Sequence, residues 1–148
     1  MAHRQPNLAS KLCLVLLLTL PILGEAADDP AAGAACVIAK KLGNSLDIAW
    51  TTEAASVADA IQQAKQALRS RGYRSLFPQA NSDQLHGWMV IVKTAYRNAR
   101  GRPRTSYGCG FSPLSEMAAE QDAVDNLRSY SWGWRTDFGY QVVEKTAY

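Results

Sequence analysis

The sequence predicts an α+β domain in which an antiparallel sheet of about six strands carries two helices on one face. An amphipathic helix pattern occurs twice, and strand patterns precede and follow each copy. Both halves read strand, strand, helix, strand, so residues 37–78 and 87–148 are predicted to be two ββαβ copies of one unit. Placing both helices on one face of the sheet would bury the apolar stripe of each helix.

The repeated helix comprises residues 56–70, SVADAIQQAKQALRS, and residues 115–129, SEMAAEQDAVDNLRS. Seven of the fifteen aligned positions are identical, which indicates a duplicated unit. Ser56 in the first copy, and Ser112 or Ser115 in the second, can accept a hydrogen bond from an N–H group at the helix start. Each copy places two alanines four residues apart, which would let its backbone approach a sheet closely.

The six predicted strands are residues 37–41, 46–51, 73–77, 87–96, 105–111 and 139–145. Residues 87–96, GWMVIVKTAY, give the strongest pattern because they are long and rich in β-branched side chains. The third strand is predicted to end at Pro78, and the polar residues 79–86 are predicted to be the turn between the two copies.

The N-terminal residues 1–26 are predicted to be a secretory signal peptide. Arg4 and Lys11 precede the apolar residues 12–23, and small residues follow at a predicted cleavage site. The apolar stretch is too short to span a bilayer. Residues 27–36 are predicted to be a mobile spacer, which leaves a single domain at residues 37–148. We therefore expect a secreted or periplasmic protein without a membrane span.

Export changes the meaning of the charges and the cysteines. Removal of residues 1–26 takes away two basic residues and one acidic residue, which leaves 14 basic and 12 acidic side chains. This balance does not indicate a specific nucleic-acid partner. Cys13 leaves with the signal peptide, so Cys36 and Cys109 are predicted to form one disulfide in an oxidising compartment. The alternative is two unpaired buried thiols.

The segment at 106–127, SYGCGFSPLSEMAAEQDAVDNL, resembles small secreted bacterial domains of unknown function. Those domains have a glycine-containing strand, a short turn and a helix with an Ala-Glu-x-x-Ala pattern, here residues 119–123. This sequence lacks the several cysteines that such domains often have. The resemblance implies export and an α+β fold, and it implies no catalytic residue.

Four arginines without an acidic neighbour lie within residues 97–104, and they are Arg97, Arg100, Arg102 and Arg104. Guanidinium groups form paired hydrogen bonds with phosphates and carboxylates. An exposed loop of this kind could bind lipid phosphates, wall polymers, stray nucleic acid or an acidic protein cleft. The alternative is a solvated loop whose charge only maintains solubility.

A second candidate surface is the aromatic segment 130–140, which holds five aromatic residues. Tyr130, Trp132, Trp134 and Arg135 are its candidate binding residues, because aromatic side chains bury a large area at little entropic cost. If the segment is extended, Trp132 and Trp134 would share one face and form a platform for sugar rings or a protein. The alternative is a lid over one end of the core.

The sequence predicts no catalytic residue, no metal site and no cofactor. His86 is the single histidine of the predicted mature chain, and together with two cysteines it does not complete a zinc site. A Cys109–His86 nucleophile pair would require a free Cys109 thiol.

Three functions are therefore ordered. The first is an exported, non-catalytic binding module for an unknown protein, comparable to an inhibitor or immunity protein. The alternative is a binder of anionic polymer or glycan that uses the loop 97–104 and Trp132/Trp134. The third is a cysteine-dependent enzyme.

Overall fold

A computed structural model describes residues 32–148, and this part of the chain alternates strands and helices in the predicted order. The elements are β1 Gly33–Lys41, β2 Asn44–Ala54, α1 Val57–Ser70, β3 Leu76–Ser82, β4 Trp88–Arg97, β5 Pro103–Ser112, α2 Glu116–Tyr130 and β6 Gln141–Ala147. A short 3-10 helix, Thr136–Phe138, lies between α2 and β6. The predicted signal peptide, residues 1–26, and residues 27–31 of the predicted spacer lie outside the described residues.

The strands form two antiparallel sheets of three strands, whereas the sequence predicts one sheet of about six. Sheet 1 has the order β2-β1-β3, and sheet 2 has the order β5-β4-β6. The central strands are the physical reason, because both faces of each are apolar. Val37 and Ile38 point to opposite faces of β1, and both are 0% exposed. Helices on one face of a single sheet would leave the other apolar face in water, so the two sheets pack on each other.

The two helices lie on opposite outer faces of this sheet pair, and the prediction that they share one face is therefore wrong. In α1, Ala64 and Leu68 pack on Val37 of sheet 1. In α2, Ala123 and Leu127 pack on the outer face of sheet 2. The core between the sheets comprises Cys36, Ile38, Ile48, Met89, Ile91, Tyr107 and Cys109. The layers are thus helix, sheet, sheet, helix.

The predicted disulfide between Cys36 and Cys109 is confirmed. It joins β1 to β5 across the two sheets, with the Cα atoms 6.5 Å apart. The ordered domain also begins earlier than predicted. Residues 33–36, assigned to a mobile spacer, form the buried first part of β1, because they pair with both β2 and β3.

The third strand differs most from its prediction. β3 continues through Pro78 and occupies part of the segment 79–86 that is predicted to be a turn. An edge strand tolerates proline because it needs fewer ladder hydrogen bonds. Gln79 is buried, and its Nε2 donates to the carbonyl of Tyr107 at 2.6 Å and to Oδ1 of Asn126 at 2.8 Å. The side chain thereby covers the open edge of β5.

The helix starts agree with their prediction. The Oγ atoms of Ser56 and Ser115 each accept a hydrogen bond from the backbone N–H three residues later, both at 3.1 Å. Of the two capping serines considered for the second helix, the structure selects Ser115. Gly72, with φ of 89°, follows the end of α1.

The close fit of α1 on sheet 1 gives a first prediction. Because Ala64 is 0% exposed and packs on Val37 and Ala39, Ala64→Leu is expected to overpack this contact and lower the free energy of unfolding by about 1–3 kcal/mol. Urea unfolding measures the loss. Gln66→Leu, on the exposed side of the same helix, is the control and is expected to change stability little. Equal stability of both variants would contradict the packing.

Candidate functional site

The β4–β5 hairpin holds its arginines on a well-ordered turn. The Asn98 Oδ1 accepts hydrogen bonds from the backbone N–H groups of Arg100 and Arg102, each at 3.0 Å. The guanidinium of Arg97 donates to the carbonyl of Gly101 at 2.8 Å. Arg97 therefore stabilises the turn, whereas Arg100 and Arg102 are exposed at its tip.

Trp132 lies just after α2 and is 99% exposed. Its backbone is positioned from the sheet, since the Tyr96 Oη donates to the carbonyl of Trp132 at 3.3 Å. The next residue, Gly133, has φ of 91°, a conformation that favours glycine. The chain thus turns sharply after Trp132 and leaves its indole in water.

Trp134 lies in a different environment from Trp132, so the two do not form the predicted flat platform. Trp134 is 7% exposed and belongs to the core between α2 and sheet 2. Its Nε1 donates to the carbonyl of Gly139 at 3.3 Å. The turn at Gly133 separates the two side chains, because the segment is not an extended strand.

The hairpin and Trp132 together enclose one open groove of about 530 Å³, named here the arginine groove. Its lining residues are Asn98, Ala99, Arg100, Arg102, Arg104, Trp132 and Gly133. The structure thereby brings together the predicted arginine loop and one residue of the predicted aromatic surface, which are far apart in the chain.

The other predicted binding residues do not line the arginine groove. The guanidinium of Arg135 forms two hydrogen bonds to Asp137, at 3.1 and 2.7 Å, and lies over the Phe138 ring. Tyr130 is half exposed, and the ammonium of Lys40 lies 5.1 Å from its ring centroid. Partial burial lowers the pKa of Lys40.

One neighbour of the groove is missed by sequence reasoning. Arg104 donates through Nη1 to the carbonyl of Leu42 at 3.0 Å, and the Thr105 N–H donates to Oδ1 of Asn44 at 2.7 Å. The β1–β2 turn therefore docks on the start of β5. The sequence predicts that turn, but no pattern in it indicates contact with a segment 62 residues away.

Catalytic and metal chemistry find little support in this region. Cys109 is bonded to Cys36, so a Cys109–His86 pair has no thiol in this structure. Within residues 32–148, no group of three or more His, Cys, Asp or Glu side chains could hold a metal ion. Across the same range, no helix is long and apolar enough to cross a membrane.

Comparison with protein-family models, curated proteins and solved structures found no match to this chain. The function of the arginine groove therefore has to be inferred from its own geometry.

Proposed function

We propose that the protein is an exported, non-catalytic binding module that holds an anionic partner in the arginine groove. The observation that carries this proposal is the shared lining of the groove, where Arg100, Arg102 and Arg104 lie beside the exposed indole of Trp132. Three guanidinium groups supply donors for phosphate, sulfate or carboxylate oxygens. The indole supplies an apolar face for the uncharged part of the same partner.

The charge of the groove is not neutralised from within the described residues. Other arginines have carboxylate partners: Arg71 pairs with Asp47, and Arg128 pairs with Asp125. In contrast, no ion pair between residues 32 and 148 involves Arg100, Arg102 or Arg104. An anionic partner would therefore meet donors that no internal carboxylate competes for.

The turn also favours binding because much of it is already ordered. The two hydrogen bonds to Asn98 and the Arg97 contact hold the backbone, so a partner would mainly have to order side chains. Preorganisation of this kind lowers the entropic cost of binding.

Replacing Arg100, Arg102 and Arg104 together by serine tests the proposal. With a labelled heparin oligosaccharide as the anionic probe, the triple variant is expected to bind about tenfold or more weakly at low salt, since each exposed charge pair contributes up to about 1 kcal/mol. The difference should shrink as salt rises. The melting temperature should change little, because the three side chains lie outside the core clusters.

A second triple variant is the matched control. Lys65→Ser, Arg128→Ser and Lys145→Ser remove the same charge from α1, α2 and β6, away from the lining of the groove. Equal weakening by both triple variants would reduce the effect to net charge. Unchanged heparin binding by the groove variant would contradict the proposal.

A protein partner, as in an inhibitor-like module, is the second candidate. The observation that favours it is the residue composition of the groove, because tryptophan and arginine are enriched among residues that dominate protein interfaces. A protein contact centred on Trp132 would weaken strongly on Trp132→Ser and keep its affinity at high salt. Isothermal titration of a captured partner at two salt concentrations separates this candidate from the polymer.

A further inference from the structure

Two hairpin tips from different halves of the chain meet at one end of the molecule. The carbonyl of Leu42, in the β1–β2 turn, accepts the hydrogen bond from Arg104 at 3.0 Å. Lys40, at the end of the same hairpin, lies over Tyr130 at the end of α2. Leu42 therefore lies beside the arginine groove, at the same end as Trp132.

These tips expose two large apolar side chains. Leu42 is 87% exposed and Trp132 is 99% exposed. Leu42 also has φ of 51°, a conformation that glycine or asparagine adopts at lower cost than leucine. Neither core packing nor the turn itself accounts for a leucine at this position. Contact with an apolar phase would account for it.

The same end is strongly basic. Within residues 32–148, six of its basic side chains have no ion-pair partner. They are Lys40, Lys41, Arg74, Arg100, Arg102 and Arg104. The hydrogen bond from the Lys40 N–H to the Ser75 carbonyl, at 3.0 Å, places Arg74 next to the β1–β2 hairpin.

The opposite end is acidic. Both helices begin there, with Asp59 in the first turn of α1 and Glu116 in the first turn of α2. Glu53 near the end of β2 and Asp83 after β3 lie at the same end, because these strands run back from the hairpin tips. An anionic surface would attract one end of the domain and repel the other, which sets a single orientation.

We propose that the basic end docks on a membrane surface that contains anionic lipid. The arginines and lysines contact headgroup phosphates, and Leu42 and Trp132 enter the boundary between headgroups and acyl chains. This inference rests on the proposed anionic-binding role of the groove and names its partner. A soluble anionic polymer would pair with the arginines but would leave Leu42 in water, whereas a bilayer surface offers both phosphate and hydrocarbon.

Co-sedimentation with large vesicles tests the inference on the full chain. One vesicle type contains phosphatidylcholine alone, and the other also contains phosphatidylglycerol. Because every variant carries the same N-terminal segment, the contribution of that segment cancels between variants. Wild-type protein is expected to prefer the anionic vesicles. The Arg100, Arg102 and Arg104 triple serine variant should lose about 100-fold in partition coefficient, at about fivefold for each basic residue.

Leu42→Ser should lose about tenfold, and this loss should persist at high salt because it is not electrostatic. Leu114→Ser is the matched control, since Leu114 is 84% exposed but lies beside Glu116 at the acidic end. Its partition coefficient should equal that of the wild type. An unchanged Leu42→Ser variant, or an equal loss in Leu114→Ser, would overturn the inference.

The heparin titration separates failure of this inference from failure of the proposed function. Heparin binding through the groove arginines without preference for anionic vesicles would overturn membrane docking and leave the anionic-binding module standing. Absence of binding to both heparin and anionic vesicles would overturn both proposals.

Discussion

Replacing Cys36 and Cys109 together by alanine is expected to lower the free energy of unfolding by about 4 kcal/mol, because the bond closes a loop with a sequence separation of 73. For a domain of this size, the melting temperature should fall by roughly 15–30 °C. Both side chains are buried between the sheets, so the bond ties the centre of sheet 1 to β5 of sheet 2. Thermal unfolding followed by circular dichroism measures the shift.

Reduced wild-type protein is the matched comparison for the double alanine variant. Its melting temperature should approach that of the variant, and the variant itself should not respond to reductant. A melting temperature within a few degrees of oxidised wild type would contradict a stabilising role for the bond. Alanine is used instead of serine because a hydroxyl group in this apolar core would add a separate cost.

A second large effect is expected where α2 approaches β5. A Cβ atom added at Gly108 would lie 2.0 Å from the carbonyl oxygen of Ala123, and one added at Gly110 would lie 2.1 Å from that of Ala119. These obstacles are helix backbone, so α2 would have to move away from sheet 2. Gly110→Ala is therefore expected to lower the free energy of unfolding by about 3 kcal/mol or more, at the upper end of overpacking costs. Chemical denaturation measures it.

Gly72→Ala is the matched control for the glycine prediction. Gly72 has φ of 89° and no atom within 4 Å of an added Cβ, so its replacement tests the cost of backbone conformation alone, about 1–2 kcal/mol. A loss at Gly110 no larger than the loss at Gly72 would contradict the close approach of the helix. The glycine-containing strand 105–111 would then need another explanation.

Local chemistry explains why the helices were predictable. Ser56 and Ser115 cap the two helices through hydrogen bonds that span three residues, and the apolar stripe of α1 is the face that becomes buried. The disulfide was predictable for a different reason, because export left two cysteines and one pairing. Patterns of this kind depend on neighbours in the chain, so one sequence is enough to recognise them.

The layer arrangement was less accessible. Alternation along a strand identifies one polar face and one apolar face, but β1 is buried on both. A continuous apolar strand indicates only that both faces are covered, and it does not indicate whether a helix or a second sheet covers each. The prediction of one sheet with helices on one face left the second apolar face uncovered, and this is where it was wrong.

The sequence by itself determined the order of strands and helices, the helix caps, the disulfide and the arginine-rich turn, since each depends on residues close in the chain or on a single possible pairing. Only the tertiary structure decided that Trp132 joins Arg100 and Arg102 while Trp134 enters the core, and that Leu42 lies against Arg104. The physical reason is that exposure depends on which surfaces remain uncovered after the two sheets and two helices pack. That outcome is a property of the whole domain, so no local pattern near Trp132 or Leu42 could have indicated it.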